Sequence, residues 1–299
     1  MLQIRRLDEI ETPSPQDITD CSMMLNMLVK QWMGKTDFAP GLKTFTRQHG
    51  HLFLSATTGK YTLGPTGTGW TNSYFSSTTS SSVAIGGNIL PLKKVDSIAI
   101  GDNIGVVLSS GALYWDTVKT VSGLNVTING TLPASANSGA VIFDYTNTAQ
   151  FPEEIETAFL RDITNEDNPL RIMTLQEYDF LPSKNDLTAI SDPTGVYWEP
   201  QLGSGFLYTD VPGAQDTTKH IGISYMTQTQ DFKNPTDTPF YPQQWYLPLA
   251  LGLAKNICPM YGATWTPLLQ DNFTQAFAIA RQKMPENSTF YFQCGEDGQ

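Results

Sequence analysis

"DNIGVVLSSG", residues 102–111, runs directly into "ALYWDTVKTVSG" (112–123) and then "NVTINGTL" (125–132). Each run is rich in Val, Ile, Leu, Thr or aromatic residues, and each is punctuated by Gly, Asn or Ser. Branched and aromatic side chains suit a pleated backbone, whereas Gly, Asn and Ser suit turns. "SVAIG" (82–86) comes before the trio and "SGAVIFDY" (138–145) after it. A strand about every ten residues predicts a small antiparallel barrel or sandwich. "SSTTSSS" (76–82), just upstream, reads as a flexible linker by composition, and "TNTAQFP" (146–152) follows the last strand. The expectation is an independent β module, residues 76–150, inserted into a host domain.

Outward from this module, helix signals gather at the two ends. In "SPQDITDCSMMLNMLVKQWM" (14–33), Ser14 is placed as N-cap, Pro15 as the first helical residue and Asp17 as the acidic capping partner. Ile18, Cys21, Met24, Leu25, Leu28 and Trp32 recur at helical spacing, and Gly34 marks the stop. In "PQQWYLPLALGLAKNICPMYG" (242–262), the stripe is Trp245, Leu249, Leu253, Ile257 and Met260, with Ala250 and Ala254 as a small-residue ridge. A third helix over 267–284 buries Phe273, Ala276, Phe277 and Ala280. Between the module and these helices, "IETAFLRD", "LRIMTL", "GVYWEP", "GFLYTDVP" and "HIGISYMTQT" read as strands, and Thr174 with Glu177 caps one short helix. The predicted class is α+β: a helical host domain with short strands, plus an inserted small antiparallel β-barrel or sandwich. The host takes 1–75, with the first helix and a hairpin, and 151–284, with strands and closing helices. Residues 285–299 form a C-terminal arm. There Phe290 and Phe292 face one way and Tyr291 the other. So short a strand needs a sheet edge, in its own subunit or a neighbour's.

Of 299 residues, 40% are hydrophobic and 16% charged, and the net charge is −11. Gripping nucleic acid needs clustered Lys and Arg, so this balance argues against it but leaves room for DNA sliding past. Cys21, Cys258 and Cys294 are scattered, with no metal-ligand spacing and no disulfide framework. The first residues lack the apolar core of a signal peptide, and "LPLALGLA" is too short to span a bilayer.

Several stretches invite a chemical reading. "GPTGTGWT" (64–71) matches the phosphate-loop pattern except that Trp70 replaces the lysine. An indole cannot carry charge to the phosphates, and no helical period follows, so a turn leaving a strand is expected. His49 and His51 flank Gly50 and could pair on a metal, but no further ligand lies at suitable spacing. His220 begins a strand and is expected at the surface. Glu153, Glu154 and Glu156 could supply a pair of carboxylates for glycosidic cleavage, or be a solvated face. Tyr114 and Trp115 could stack on a sugar, or be core. No catalytic, cofactor-binding or metal-binding residue is assigned.

Five blocks in order resemble the head-to-tail adaptor family of short-tailed bacteriophages, also called tail accessory or packaged-DNA stabilisation proteins. They are "LNMLVKQW" (25–32), "HLFLSATTGKYTLG" (51–64), "AFLRD" (158–162) with "NPLRIMTLQEYDFLPSK" (168–184), "TDTPFYPQQWYLPLALGLAKNICPMYG" (236–262) and "MPENSTFYF" (284–292). Residues 76–150 go beyond the minimal family pattern. The resemblance implies a structural virion protein at the head-to-tail junction, made in the host bacterial cytoplasm. It would form a homo-oligomeric, twelve-fold ring docked on the portal protein and bound below by a distal tail protein. Packaged double-stranded DNA would pass through without specific binding, with no enzyme activity, cofactor or membrane involved. Trp32, Trp245, Ala250, Ala254, Phe290, Tyr291 and Phe292 are the candidate assembly residues. The alternative is a tail-associated peptidoglycan hydrolase or carbohydrate-binding tail component.

Overall fold

The computed structural model describes residues 14–33, 42, 46–182, 184, 190–229, 231–232, 234 and 241–282. They form two compact units. One is helical and combines the chain up to Thr46 with the chain from Thr229 onward; the other is β, Arg47–Gln228.

In chain order come α1 (Pro15–Trp32), β1 (Arg47–Phe53), β2 (Lys60–Leu63), β3 (Trp70–Thr71), β4 (Phe75–Thr78), β5 (Ile89–Pro91), β6 (Asn103–Val107), β7 (Leu113–Ser122), β8 (Asn125–Ile128) and β9 (Val141–Tyr145). Then follow β10 (Glu154–Arg161), β11 (Asp167–Met173), α2 (Leu175–Asp179), β12 (Gly195–Glu199), β13 (Gly205–Thr209), β14 (His220–Met226), α3 (Tyr246–Ile257) and α4 (Pro267–Gln282).

Eight strands form one sheet in the order β2-β13-β12-β11-β10-β14-β1-β3, and six form another in the order β4-β9-β6-β7-β8-β5. The six-stranded sheet nearly closes on itself. Thr79, just past β4, bridges to Leu92, just past β5, and the Ser80 and Lys93 N–H groups donate to the Pro91 and Thr78 carbonyls. Its barrel core includes Leu90, Ile104, Val106, Val118, Ile128 and Ile142. The eight-stranded sheet curls as a half-barrel around its own core, with Leu52, Trp70, Leu160, Val196, Leu207 and Tyr225. Trp70 is fully buried (0% exposed), and close approach decides the residue opposite: a Cβ at Gly50 would lie 2.1 Å from the indole. Between the sheets Phe53, Tyr74, Trp115, Phe143 and Tyr145 form a second apolar layer, with Phe53 stacked on Phe143 at 4.2 Å.

These findings overturn the expected α+β class. The chain is mostly β, and the strands on either side of the barrel are not accessories of a helical host. They build the larger sheet, and they do so over long range: β1 pairs with β14 along its whole length, from Arg47 opposite Met226 to Phe53 opposite His220. Helix caps are local signals, whereas this pairing is invisible to any short window, so the sequence displays its helices more plainly than its larger sheet. The supposed linker "SSTTSSS" is also corrected. Its first residues are β4, paired with β9, and Ser77 and Thr79 are buried.

In the helical unit, Ser14 caps α1, with the Asp17 N–H donating to its hydroxyl and the Asp17 carboxylate accepting from the Ser14 N–H. Thr174 and Glu177 make the same box at α2. Val29, Met33, Tyr241, Trp245, Leu249 and Ala280 form the helical core. The Gly34 stop lies outside the described residues.

Candidate functional site

All three histidines lie on β1 and β14, on the face turned away from the half-barrel core. Alternation puts His49, His51 and Phe53 on that face, while Leu52 enters the core. The His51 and His220 rings meet edge-on at 5.2 Å, and the Tyr74 ring contacts both, at 4.9 and 5.1 Å. The Tyr74 hydroxyl is 3.3 Å from His220 Nε2. Far from being a surface residue, His220 is 3% exposed, because Tyr74 and Phe53 cover it.

Burial pushes the His51 imidazole down to about 4, helped by Arg161. It pushes His220 to about 3, helped by His51 and then Arg161. Asp167 opposes both effects but is itself held by Arg161, through two hydrogen bonds of 2.6 and 2.7 Å. Both rings are therefore neutral at pH 7, and groups this acidic are poor general bases there. His49 takes a separate partner, the Ser224 hydroxyl at 3.0 Å. His49 and His51 thus go to different partners, and among the described residues no three His, Cys, Asp or Glu side chains converge to hold a metal ion.

The other chemical candidates resolve into structure. In "GPTGTGWT", Gly64 and Gly69 have φ of 126° and 72°, the Gly67 N–H donates to the Gly64 carbonyl and the Gly69 N–H to the Tyr145 hydroxyl. The loop runs into β3, not a helix, and the Trp70 indole donates to the Gln150 carbonyl. Glu156 is clamped by Arg47 (2.5 and 3.2 Å), and the Glu153 N–H donates to the Met226 carbonyl. Trp115 lies between the sheets and Tyr114 packs against the barrel core.

The helical unit supplies the remaining feature. Trp32 packs on Trp245, Phe273 and Phe277, with centroids 6.3, 6.1 and 4.9 Å away, so both tryptophans belong to the unit's interior. Ala250 is exposed and Ala254 half-buried; the close approach between helices is made at Gly252, where a Cβ would lie 2.8 Å from the Trp32 ring. Phe290, Tyr291 and Phe292 lie outside the described residues. On the other side of α1, a groove of about 610 Å³ is lined by Ile18, Met23, Met27, Asn26 and Phe232 and bounded by Lys30, which is paired with Asp231 at 2.8 Å. Met23 and Met27 are 56% and 60% exposed. The sequence reading missed this second apolar face, although Met23 and Met27 are four apart and so share a side of the helix. Among the described residues no helix is long and apolar enough to cross a membrane.

The chain matches no family model and no curated protein sequence.

Proposed function

We propose that this chain is a structural subunit of a head-to-tail adaptor of a short-tailed bacteriophage, a ring docked beneath the portal that lengthens the DNA channel. The observation that carries the reading is the apolar groove of α1, where Ile18, Met23 and Met27 are exposed while Leu28 and Val29 are buried. Apolar faces of this kind mark surfaces for other proteins, and unbranched methionines adapt to a partner's shape. The occupant proposed here is a second copy of the chain. The net charge of −11 suits a wall that repels DNA. The twelve-fold copy number and the portal and distal tail partners rest on the resemblance of the sequence blocks.

Negative-stain microscopy of the protein, alone and with its portal, is the test. Rings are expected. Met23→Asp with Met27→Asp should leave the melting temperature unchanged and abolish the rings. A chain that stays monomeric and ignores the portal up to its solubility limit overturns the proposal. Zymography on peptidoglycan with Glu153→Gln and Glu154→Gln variants separates the hydrolase alternative.

A further inference from the structure

One end of the six-stranded barrel buries carboxyl groups that the fold does not explain. Asp144 on β9 lies opposite Ile104 on β6 and Phe75 on β4. Ile142 and Ile104 belong to the barrel core, so alternation turns Asp144, two residues beyond Ile142, to the same interior side. Asp102, two residues before Ile104, shares that side. The two are 3% and 2% exposed. Asp102 Oδ2 accepts one hydrogen bond, from the Ala99 N–H at 2.7 Å. Asp144 Oδ1 has no hydrogen-bond partner. Asp116, opposite Ile104 on β7, is differently placed: its two oxygens accept from the Thr117 and Gly130 N–H groups, at 2.8 and 2.6 Å. Among the described residues no Lys or Arg is ion-paired with Asp102 or Asp144.

A buried carboxylate without donor or counter-charge is costly, and here a second one lies beside it. Two escapes exist: a retained proton or a bound cation. We propose that Asp102 and Asp144 hold a hard divalent cation of the calcium class at this end of the barrel. Two carboxylates neutralise a doubly charged ion. The donors are oxygen alone, which disfavours zinc and copper. With only two carboxylates present, backbone carbonyls and water complete the shell. Calcium tolerates such a mixed, irregular shell, whereas magnesium demands near-ideal octahedral geometry. Burial and the neighbouring Asp102 raise Asp144 to about 7, so at neutral pH the proton is weakly held and a cation displaces it readily.

The experiment uses the full chain stripped with chelator. Terbium chloride is added while the aromatic residues are excited; Tyr145 is next in sequence to Asp144, and Trp115 packs on Tyr145. Luminescence is expected, with displacement by calcium chloride, and calorimetry should show calcium binding directly. Asp144→Asn should weaken binding at least tenfold, Asp102→Asn likewise, and Asp96→Asn, on an exposed turn, should not. Absence of calcium heat in the unmodified protein overturns the proposal, whether or not the variants fold. Luminescence that survives Asp144→Asn does the same and leaves the retained proton as the explanation.

Discussion

Exposed apolar side chains occur in both units, but in different arrangements. In the β unit Ile85, Ile100, Leu124 and Leu202 stand singly at turns and bends, as scattered surface residues commonly do. In the helical unit Ile18, Met23 and Met27 share one groove along a regular helix. The buried polar groups are distributed the other way. The β unit encloses His220, Asp102 and Asp144, and burial penalises the charged forms of His220 and Asp144. A unit that hides its charges responds to protons and ions, whereas one that bares an apolar face responds to other chains.

The sharpest break in this comparison is a change that destroys one unit and spares the other. Trp70→Ala removes the largest fully buried side chain of the half-barrel and should cost about 3–5 kcal/mol in urea unfolding. Trp70→Lys should be at least as damaging and should create no Mg-ATP binding by calorimetry, because the Gly67 and Gly69 N–H groups already have internal partners and no helix follows the loop. Micromolar ATP affinity in either form would contradict the turn reading.

Acid tests the β unit next. The folded pKa values of His51 and His220, about 4 and about 3, lie below the ordinary 6.5. The unfolded chain therefore takes up protons first, and stability present above pH 6.5 should fall steadily as pH drops toward 4 and 3. Asp144 acts in the opposite sense. Its folded pKa, about 7, exceeds the ordinary 3.8, so its contribution is present in acid and is lost as pH rises through 7. In chelating buffer Asp144→Asn should thus raise the melting temperature at pH 8 and steepen the decline below pH 6. A melting curve insensitive to pH between 4 and 7 in this variant would show that the histidine pair is not titrating as described.

Gly252→Val sharpens the comparison from the helical side. The added carbons collide with Trp32, and overpacking of this kind costs about 1–3 kcal/mol, which far-ultraviolet dichroism should detect in the helices. Smallest is Ser14→Ala, which removes the α1 cap and should cost about 1 kcal/mol by thermal melting.

These residues also show how far the sequence could be read. Ser14, Pro15 and Asp17 lie within four positions, as do Thr174 and Glu177, and both caps form because the hydrogen bonds never leave one helical turn. Strands β6 to β9 were equally legible, since each pairs with a barrel strand and carries its own branched residues and turn. The partner of β1 was not. Nothing near Leu52 announces Ile221, and only their pairing shows that the flanking strands are one sheet. His220 was misplaced for the same reason: its cover comes from Tyr74 and Phe53, both distant in sequence. Gly252 passed unnoticed beside Ala250 and Ala254, because a glycine's importance lies in the ring above it. The face of Met23 and Met27 is within reach of helical spacing, since the two are four residues apart.

The pairing of Arg47 with Met226 also sets a timetable on the ribosome. Every barrel strand is synthesised by Tyr145, so β4 to β9 can close while the rest of the chain is still being made. β1 must wait for β14, and at about 5–20 residues per second that delay is on the order of ten seconds or more. Throughout it, Leu52 lacks its partner Ile221. High contact order in the half-barrel thus makes the small barrel the first native landmark to appear.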